Sequence, residues 1–330
     1  MSLTKHRIDK SVYEASLERI NLLYDRFDFV FCSWSGGKDS SIALNLALKV
    51  ATERNRLPLD LCFVDEECIT PETVEYAERV RSRDDIKLKW ACLPIKHRNA
   101  CSRTQPYWYP WLEADRDKWT REMPPWAITI NDVPSFKIGD HVLHDVAPML
   151  YGPELGTVAE IRGIRAQESI RRLQSVTKRK TDNWIIQTPI NNYFYPTSPI
   201  YDWTTEDVWV APQKFGWDYN RTYDVLALAG VPPSLQRCTP PFGEEPLQKL
   251  WTYQVCWPEM WHKMINRVDG VATAGRYGLT DLYGNKPKEP PPNMSWKDWC
   301  YSLLELYPLN ERKQIATNIT EIIKLHQRRL

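Results

Sequence analysis

At 330 residues with an apolar share of 42%, the chain is long enough to bury a large α/β core and to carry a second unit. Lys and Arg number 43 against 42 Asp and Glu, a formal charge of +1, which excludes a global field that steers the protein to nucleic acid or a membrane surface. Eight cysteines without a Cys-x-x-Cys pair read as free thiols, and the polar start and the lack of any apolar run of about 18 residues imply a cytoplasmic protein with no membrane partner.

In chain order, Val12, Leu17, Ile20, Leu23 and Tyr24 recur at helical spacing and predict an amphipathic helix ahead of the first strand. Phe29 to Trp34 is a short apolar run of β formers, followed by Ser35-Gly36-Gly37-Lys38-Asp39-Ser40 and then an apolar-periodic segment. Strand, glycine loop and helix in that order form an anion cradle, because glycines let backbone N–H groups converge and the helix N-terminus adds unpaired donors. A Walker A loop is excluded by spacing, since Gly36 and Gly37 are adjacent and Asp39 follows the lysine. Ser35 to Ser40 instead resembles the pyrophosphate-binding loop of the PP-loop family, the N-type ATP pyrophosphatases and their sulfate-reductase-like relatives.

Leu59 to Val64 predicts a second buried strand that ends at Asp65-Glu66-Glu67. In an open parallel sheet ligands gather at the carboxyl ends of strands, which places Asp65 toward the same nucleotide as Gly36. Thr70-Pro71-Glu72-Thr73 then starts a helix and resembles the Pro-Glu-Thr segment of phosphoadenylyl-sulfate (PAPS) reductases. Ile86 to Leu93 is the third strand. From about residue 95 to 146 the pattern breaks into Trp108, Trp111, Trp119 and Trp126 among prolines, with His97, Arg98, Arg103 and Arg116 nearby, an ordered insertion over the strand ends.

Val158 to Ile164 reads as the fourth strand, with Gly163 at its end and Arg165 on the first turn of the next helix. A guanidinium there meets the nucleotide edge. Gly163-Ile164-Arg165-Ala166-Gln167-Glu168-Ser169 resembles the second signature of the PAPS-reductase branch. Pro199-Ile200-Tyr201-Asp202-Trp203-Thr204 through Asp207-Val208-Trp209 is similar to the segment in which that branch hands over to its C-terminal helices. Further motifs between Tyr219 and Glu245 look most like the subgroup related to the immunoglobulin-binding regulator A protein of bacteria and prophages.

The expected fold is therefore α/β, a doubly wound, mainly parallel sheet of five or six strands with the Trp/Pro-rich insertion and a helical C-terminal region. The expected domains are residues 1–202 for the nucleotide and 203–330 for the helices. The resemblance implies that Ser35, Gly36, Gly37, Lys38, Asp39, Ser40, Asp65, Gly163 and Arg165 bind an adenine nucleotide, that Lys38, Asp39 and Arg165 are catalytic, and that Asp39 and Asp65 hold Mg²⁺. It further implies ATP as substrate and adenylylation of an unidentified acceptor, in nucleic-acid or small-molecule modification, with release of pyrophosphate. Sulfonucleotide reduction is the alternative, but the cysteine of the reductases' C-terminal Glu-Cys-Gly-x-His segment is missing from the tail Glu311–Leu330, and Cys300 lacks its context. A nucleotide-gated regulator with a protein partner is another alternative. Nucleic acid is suggested only by Lys178-Arg179-Lys180 and by His326-Gln327-Arg328-Arg329.

Overall fold

The computed structural model describes the chain except for residues 1–8, 178–181, 183, 187–189, 244–245, 278–289, 291–292 and 328–330. Five strands, β1 (Phe29–Trp34), β2 (Leu59–Val64), β3 (Ile86–Ala91), β4 (Val158–Arg162) and β5 (Phe194–Thr197), form one sheet in the order β3-β2-β1-β4-β5, and every pair is parallel. The order reverses beside β1, so the crevice above the carboxyl ends of β1 and β4 is the topological switch point at which such sheets bind ligands. Cys32 pairs with Leu61 on one side and Ile161 on the other, and all three are fully buried, as expected of central parallel strands covered on both faces.

Helix α1 (Val12–Arg26) precedes the sheet and begins in a capping box, Ser11 Oγ accepting from the Glu14 amide at 3.2 Å and the Glu14 carboxylate accepting from the Ser11 amide at 3.0 Å. Its buried face is Ala15, Ser16, Ile20 and Leu23, and it packs with α2 (Lys38–Glu53) over one face of the sheet. Helix α3 (Pro71–Arg81) carries proline in its first turn, but Thr70 does not cap it through its side chain. The Thr70 hydroxyl is instead bonded to the hydroxyls of Thr73 and Thr222, which ties the start of α3 to a helix about 150 residues away.

The insertion is ordered: a two-residue antiparallel ribbon (His97–Arg98 with Tyr107–Trp108), two 3₁₀ turns (Glu113–Lys118 and Ile130–Asp132) and α4 (Leu143–Leu150). On the other face, Tyr151 after α4 stacks on Phe31 at 3.9 Å. Beyond β4 the chain makes a 3₁₀ turn at Ala166–Glu168 before α5 (Ile170–Thr177), so Arg165 caps a tight turn and does not sit on the first turn of a regular helix as expected.

Contacts divide the chain into residues 1–279 and 280–330, where a boundary at 202/203 is expected. Helices α6 (Thr205–Phe215), α7 (Thr222–Leu228), α8 (Leu250–Cys256), α9 (Pro258–Arg267) and α10 (Val271–Tyr277) thus belong with the sheet. Thr204 caps α6, accepting from the Asp207 amide at 3.1 Å. The second unit holds α11 (Trp296–Leu304), capped by Ser295, and α12 (Leu309–Gln327). No helix among the described residues is long and apolar enough to cross a membrane.

Candidate functional site

Strand β1 runs straight into the glycine loop, and Gly37 is the N-cap of the 16-residue helix α2, extended and without a side-chain cap. Gly36 has φ +73°, a left-handed conformation that a side chain would strain, and a Cβ on it would meet Thr73 Cγ2 at 3.0 Å. The Ser35 and Ser40 hydroxyls lie 3.1 Å apart, and the Ser35 amide donates to Ser40 Oγ at 3.2 Å. Hydroxyls and amides therefore converge at the positive end of a helix, the elementary form of an anion site.

Strand β4 presses on this loop from the side. A Cβ on Gly163 would lie 2.4 Å from the Ser40 nitrogen and 2.5 Å from its Cα, so only glycine allows the strand end to approach the first turn of α2. Two residues on, Arg165 is 3% exposed, and its Nε donates to Asp39 Oδ1 at 2.5 Å while Nη1 reaches Trp203 O at 3.3 Å. The Arg165 amide donates to Glu168 Oε2 at 3.0 Å, and Glu168 also pairs with Arg172 and lies 3.8 Å from Arg237. Arg172 is thereby drawn into a pair, while Arg171 is exposed on α5.

Lys38 lies between loop and helices, with Nζ 3.6 Å from Asp39 Oδ2 and donating to Gln236 O at 3.2 Å. Burial pulls its pKa down against the opposing pull of Asp39. The helical segment supplies a roof over the loop that the sequence pattern does not reveal. The Lys38 amide donates to Tyr223 Oη at 2.8 Å, Asn220 Nδ2 donates to Gly36 O at 3.0 Å, and Cys238 Sγ lies 3.4 Å from the Cβ position of Gly37. These partners sit about 185 to 200 residues downstream, and the only signal for them was their motif likeness between Tyr219 and Glu245. Burial pushes the Cys238 thiol up to about 11 and the Tyr223 hydroxyl well above its ordinary value, so both stay protonated.

Asp65 is brought to the end of β2 as expected, but it is fully buried and committed elsewhere. It accepts from Trp90 Nε1 at 2.7 Å and from the Glu67 amide at 3.0 Å, and pairs with Arg121. Asp39 has both oxygens engaged by cations, and among the described residues no three His, Cys, Asp or Glu side chains gather into a metal cluster. This donor set does not fit a directly ligated Mg²⁺.

Of the insertion tryptophans, Trp111 donates to Asp65 O at 2.7 Å and packs edge-on to Trp119, so these two are used in packing, while Trp126 is 42% exposed with the Arg81 guanidinium 4.0 Å from its ring. Glu67 is buried in a two-pronged pair with Arg267 of α9, at 2.7 and 3.0 Å, which fastens the helices to the strand end. Burial first, then Asp65, pushes Glu66 up to about 8, and burial pulls the neighbouring His97 down to about 4. Lys178-Arg179-Lys180 and Arg328-Arg329 lie outside the described residues.

A family model described as phosphoadenosine phosphosulfate reductase domain matches residues 30–131, and one described as a domain of unknown function (DUF3440) matches residues 230–329. The uncharacterized protein YbdN of Escherichia coli (strain K12) is 30% identical over 344 residues, spanning 100% of this chain and 83% of that one. Among solved structures, PAPS reductase from Candida auris in a phosphate complex is similar over 66% of this chain and 85% of its own, at 14% identity and a TM-score of 0.38. Candida glabrata FMN adenylyltransferase in complex with ATP is similar over 63% and 57%, at 16% identity and a TM-score of 0.33. The U34-tRNA thiolase NcsA of Methanococcus maripaludis is similar over 88% and 87%, at 10% identity and a TM-score of 0.34. Structural likeness at that level speaks to neither substrate nor reaction.

Proposed function

We propose, from the premise that this chain belongs to one family with YbdN and carries a PAPS reductase-like nucleotide-binding domain, that it binds ATP in the Ser35–Ser40 loop and transfers the adenylyl group to an acceptor. The observation that carries this reading is the convergence on one crevice of the Gly36-Gly37 cradle, Lys38, and Arg165 held by Asp39.

In this reading the amides of Gly36, Gly37 and Ser40 and the hydroxyls of Ser35 and Ser40 hold the β and γ phosphates. The acceptor's nucleophilic atom bonds to the α phosphorus, the bond from α phosphorus to the bridging oxygen breaks, and pyrophosphate leaves with the electron pair. Lys38 stabilises the charge that grows on the leaving group, and Arg165 orients the α phosphate. Asp39 fixes the guanidinium and is a positioning residue. ATP is taken as its magnesium complex, the ion belonging to the substrate. Likeness to the immunoglobulin-binding regulator A subgroup, with its bacterial and prophage setting, and a cytoplasmic location complete the proposal.

Sulfonucleotide reduction needs a thiolate, and the loop-side thiol, Cys238, is buried and held protonated up to about 11. Thioredoxin-coupled sulfite release from PAPS is therefore expected to be undetectable, and sulfite that vanishes in Cys238→Ser would restore the reductase reading. The direct test is calorimetric titration of ATP into wild type and Lys38→Ala, together with a pyrophosphate assay in the presence of a bacterial metabolite extract. ATP binding, and extract-dependent pyrophosphate that falls about a hundredfold in the variant, are expected. No binding of any adenine nucleotide would refute the site, and binding without pyrophosphate would favour a regulator.

A further inference from the structure

The segments that follow β2 and β3 line a cavity of about 320 Å³ whose walls include none of the Ser35–Ser40 loop. On its buried side are Glu66 and His97, with His97 Nε2 3.1 Å from Glu66 Oε1 but out of hydrogen-bond alignment, so that this ring nitrogen has no hydrogen-bond partner. Trp108 stacks on His97 at 5.4 Å between ring centres and Phe242 meets Trp108 edge-on at 5.1 Å, so these two buried rings back the His97 ring. Lys96 lies on the more open side, its ammonium 4.3 Å above the Tyr107 ring. The cavity adjoins the phosphate loop: Thr239 in its lining follows Cys238, which packs on Gly37, and Glu66 leaves the strand next to β1.

We propose that this cavity seats the acceptor, and that the acceptor is a small organic anion built on a flat ring. The proposal rests on the adenylyl-transfer reading above. Its chemistry follows from the lining. The His97 ring, backed by Trp108, takes a planar body by stacking. Lys96 supplies charge at the open side for a carboxylate or phosphate. The Glu66 carboxyl beside His97 offers a polar position to the edge of a ring. Adenosine, the uncharged half of ATP, makes no use of the ammonium, which favours the acceptor over the nucleoside as occupant.

The test uses the full-length protein and three probes, nicotinate, orotate and 4-hydroxybenzoate, each beside its neutral amide. Binding is measured by titration calorimetry to wild type, Lys96→Ala and Val142→Trp, the last chosen because Val142 is 41% exposed and lines the cavity. ATP is titrated into the same three proteins. At least one carboxylate is expected to bind wild type tenfold or more tightly than its amide, to lose tenfold or more in both variants, and to bind together with ATP, whose affinity stays unchanged. No carboxylate binding, equal binding of acid and amide, or indifference to both variants would overturn the proposal. Displacement of the carboxylate by ATP would assign the cavity to the nucleotide and overturn it as well. A Lys96-dependent carboxylate in a protein that binds no ATP would sink the adenylyl-transfer reading and the acceptor role with it, and the ATP titration tells that failure from the others.

Discussion

Gly163→Ala places a single methyl group where the sheet meets the phosphate loop. The added carbon would lie 2.4 Å from Ser40 N, 2.5 Å from Ser40 Cα and 2.6 Å from the Asp39 carbonyl carbon, against an ordinary contact of 3.4 Å and up, a shortfall of about 1 Å. All three atoms are backbone in the first turn of α2, so no side-chain rotation relieves the clash, and strand and helix must separate. Overpacking of this kind costs about 1–3 kcal/mol of stability, and a displacement of about 1 Å at a reacting phosphate costs roughly a hundredfold in rate. The fold should survive, since β4 is held between β1 and β5 along its length. Urea denaturation gives the stability change, ATP calorimetry the binding, and the pyrophosphate assay the rate. A variant with wild-type ATP affinity and turnover would show that the carboxyl end of β4 does not set the position of the loop, and the site as described would be wrong.

Arg165→Ala should lose about 3 kcal/mol of transition-state stabilisation and also leave Asp39 without its closest partner, whereas Arg171→Ala, on an exposed position, should stay within about 0.5 kcal/mol in both rate and stability. Equal losses in the two, read from the pyrophosphate assay, would point to a diffuse basic surface. His97 is held neutral by burial down to about 4, so its contribution to stability is complete above the unfolded value near 6.5 and is lost as pH falls toward 4. Wild type should therefore lose about 3 kcal/mol more than His97→Gln between pH 7 and 4, with Glu66 and Trp108 the groups facing the ring; parallel urea-stability profiles for the two proteins would refute this. Arg267→Ala strands the fully buried Glu67 carboxylate and should cost about 3–5 kcal/mol, recovered in part by Glu67→Gln in the same chain, and a loss under about 1 kcal/mol would mean that Glu67 finds other compensation.

The sheet and the phosphate loop were legible because their signals are local. A run such as Phe29 to Trp34 must be buried on both faces, and Ser35 to Ser40 concentrates its chemistry in six consecutive residues. Gly163 and Arg165 were readable for the same reason, although the 3₁₀ turn after them was not, since Glu168 reaches back to the Arg165 amide and closes the turn before a helix can start. Asp65 was placed correctly at its strand end but its partners, Arg121 and Trp90, lie about 56 and 25 residues on, and no local pattern announces that they consume the carboxylate. Likewise the 202/203 boundary follows from a change of pattern from strands to helices, while burial of Arg267 against Glu67 and of Thr222 against Thr70 keeps those helices with the sheet. The Glu66 and His97 pair was invisible as a pair, each residue taken alone reading as a turn or insertion side chain.

The roof over the phosphate loop has a consequence for how the protein is made. Ser35 and Cys238 touch across 203 residues. At a synthesis rate of about 5–20 residues per second, the loop emerges from the ribosome roughly 10–40 s before the segment that covers it. For that interval the Gly36 carbonyl lacks Asn220 and the Lys38 amide lacks Tyr223, so the nascent chain presents an open anion cradle to a cell rich in nucleotides. If the proposed ATP binding holds, a nucleotide captured then would be enclosed as the helices arrive.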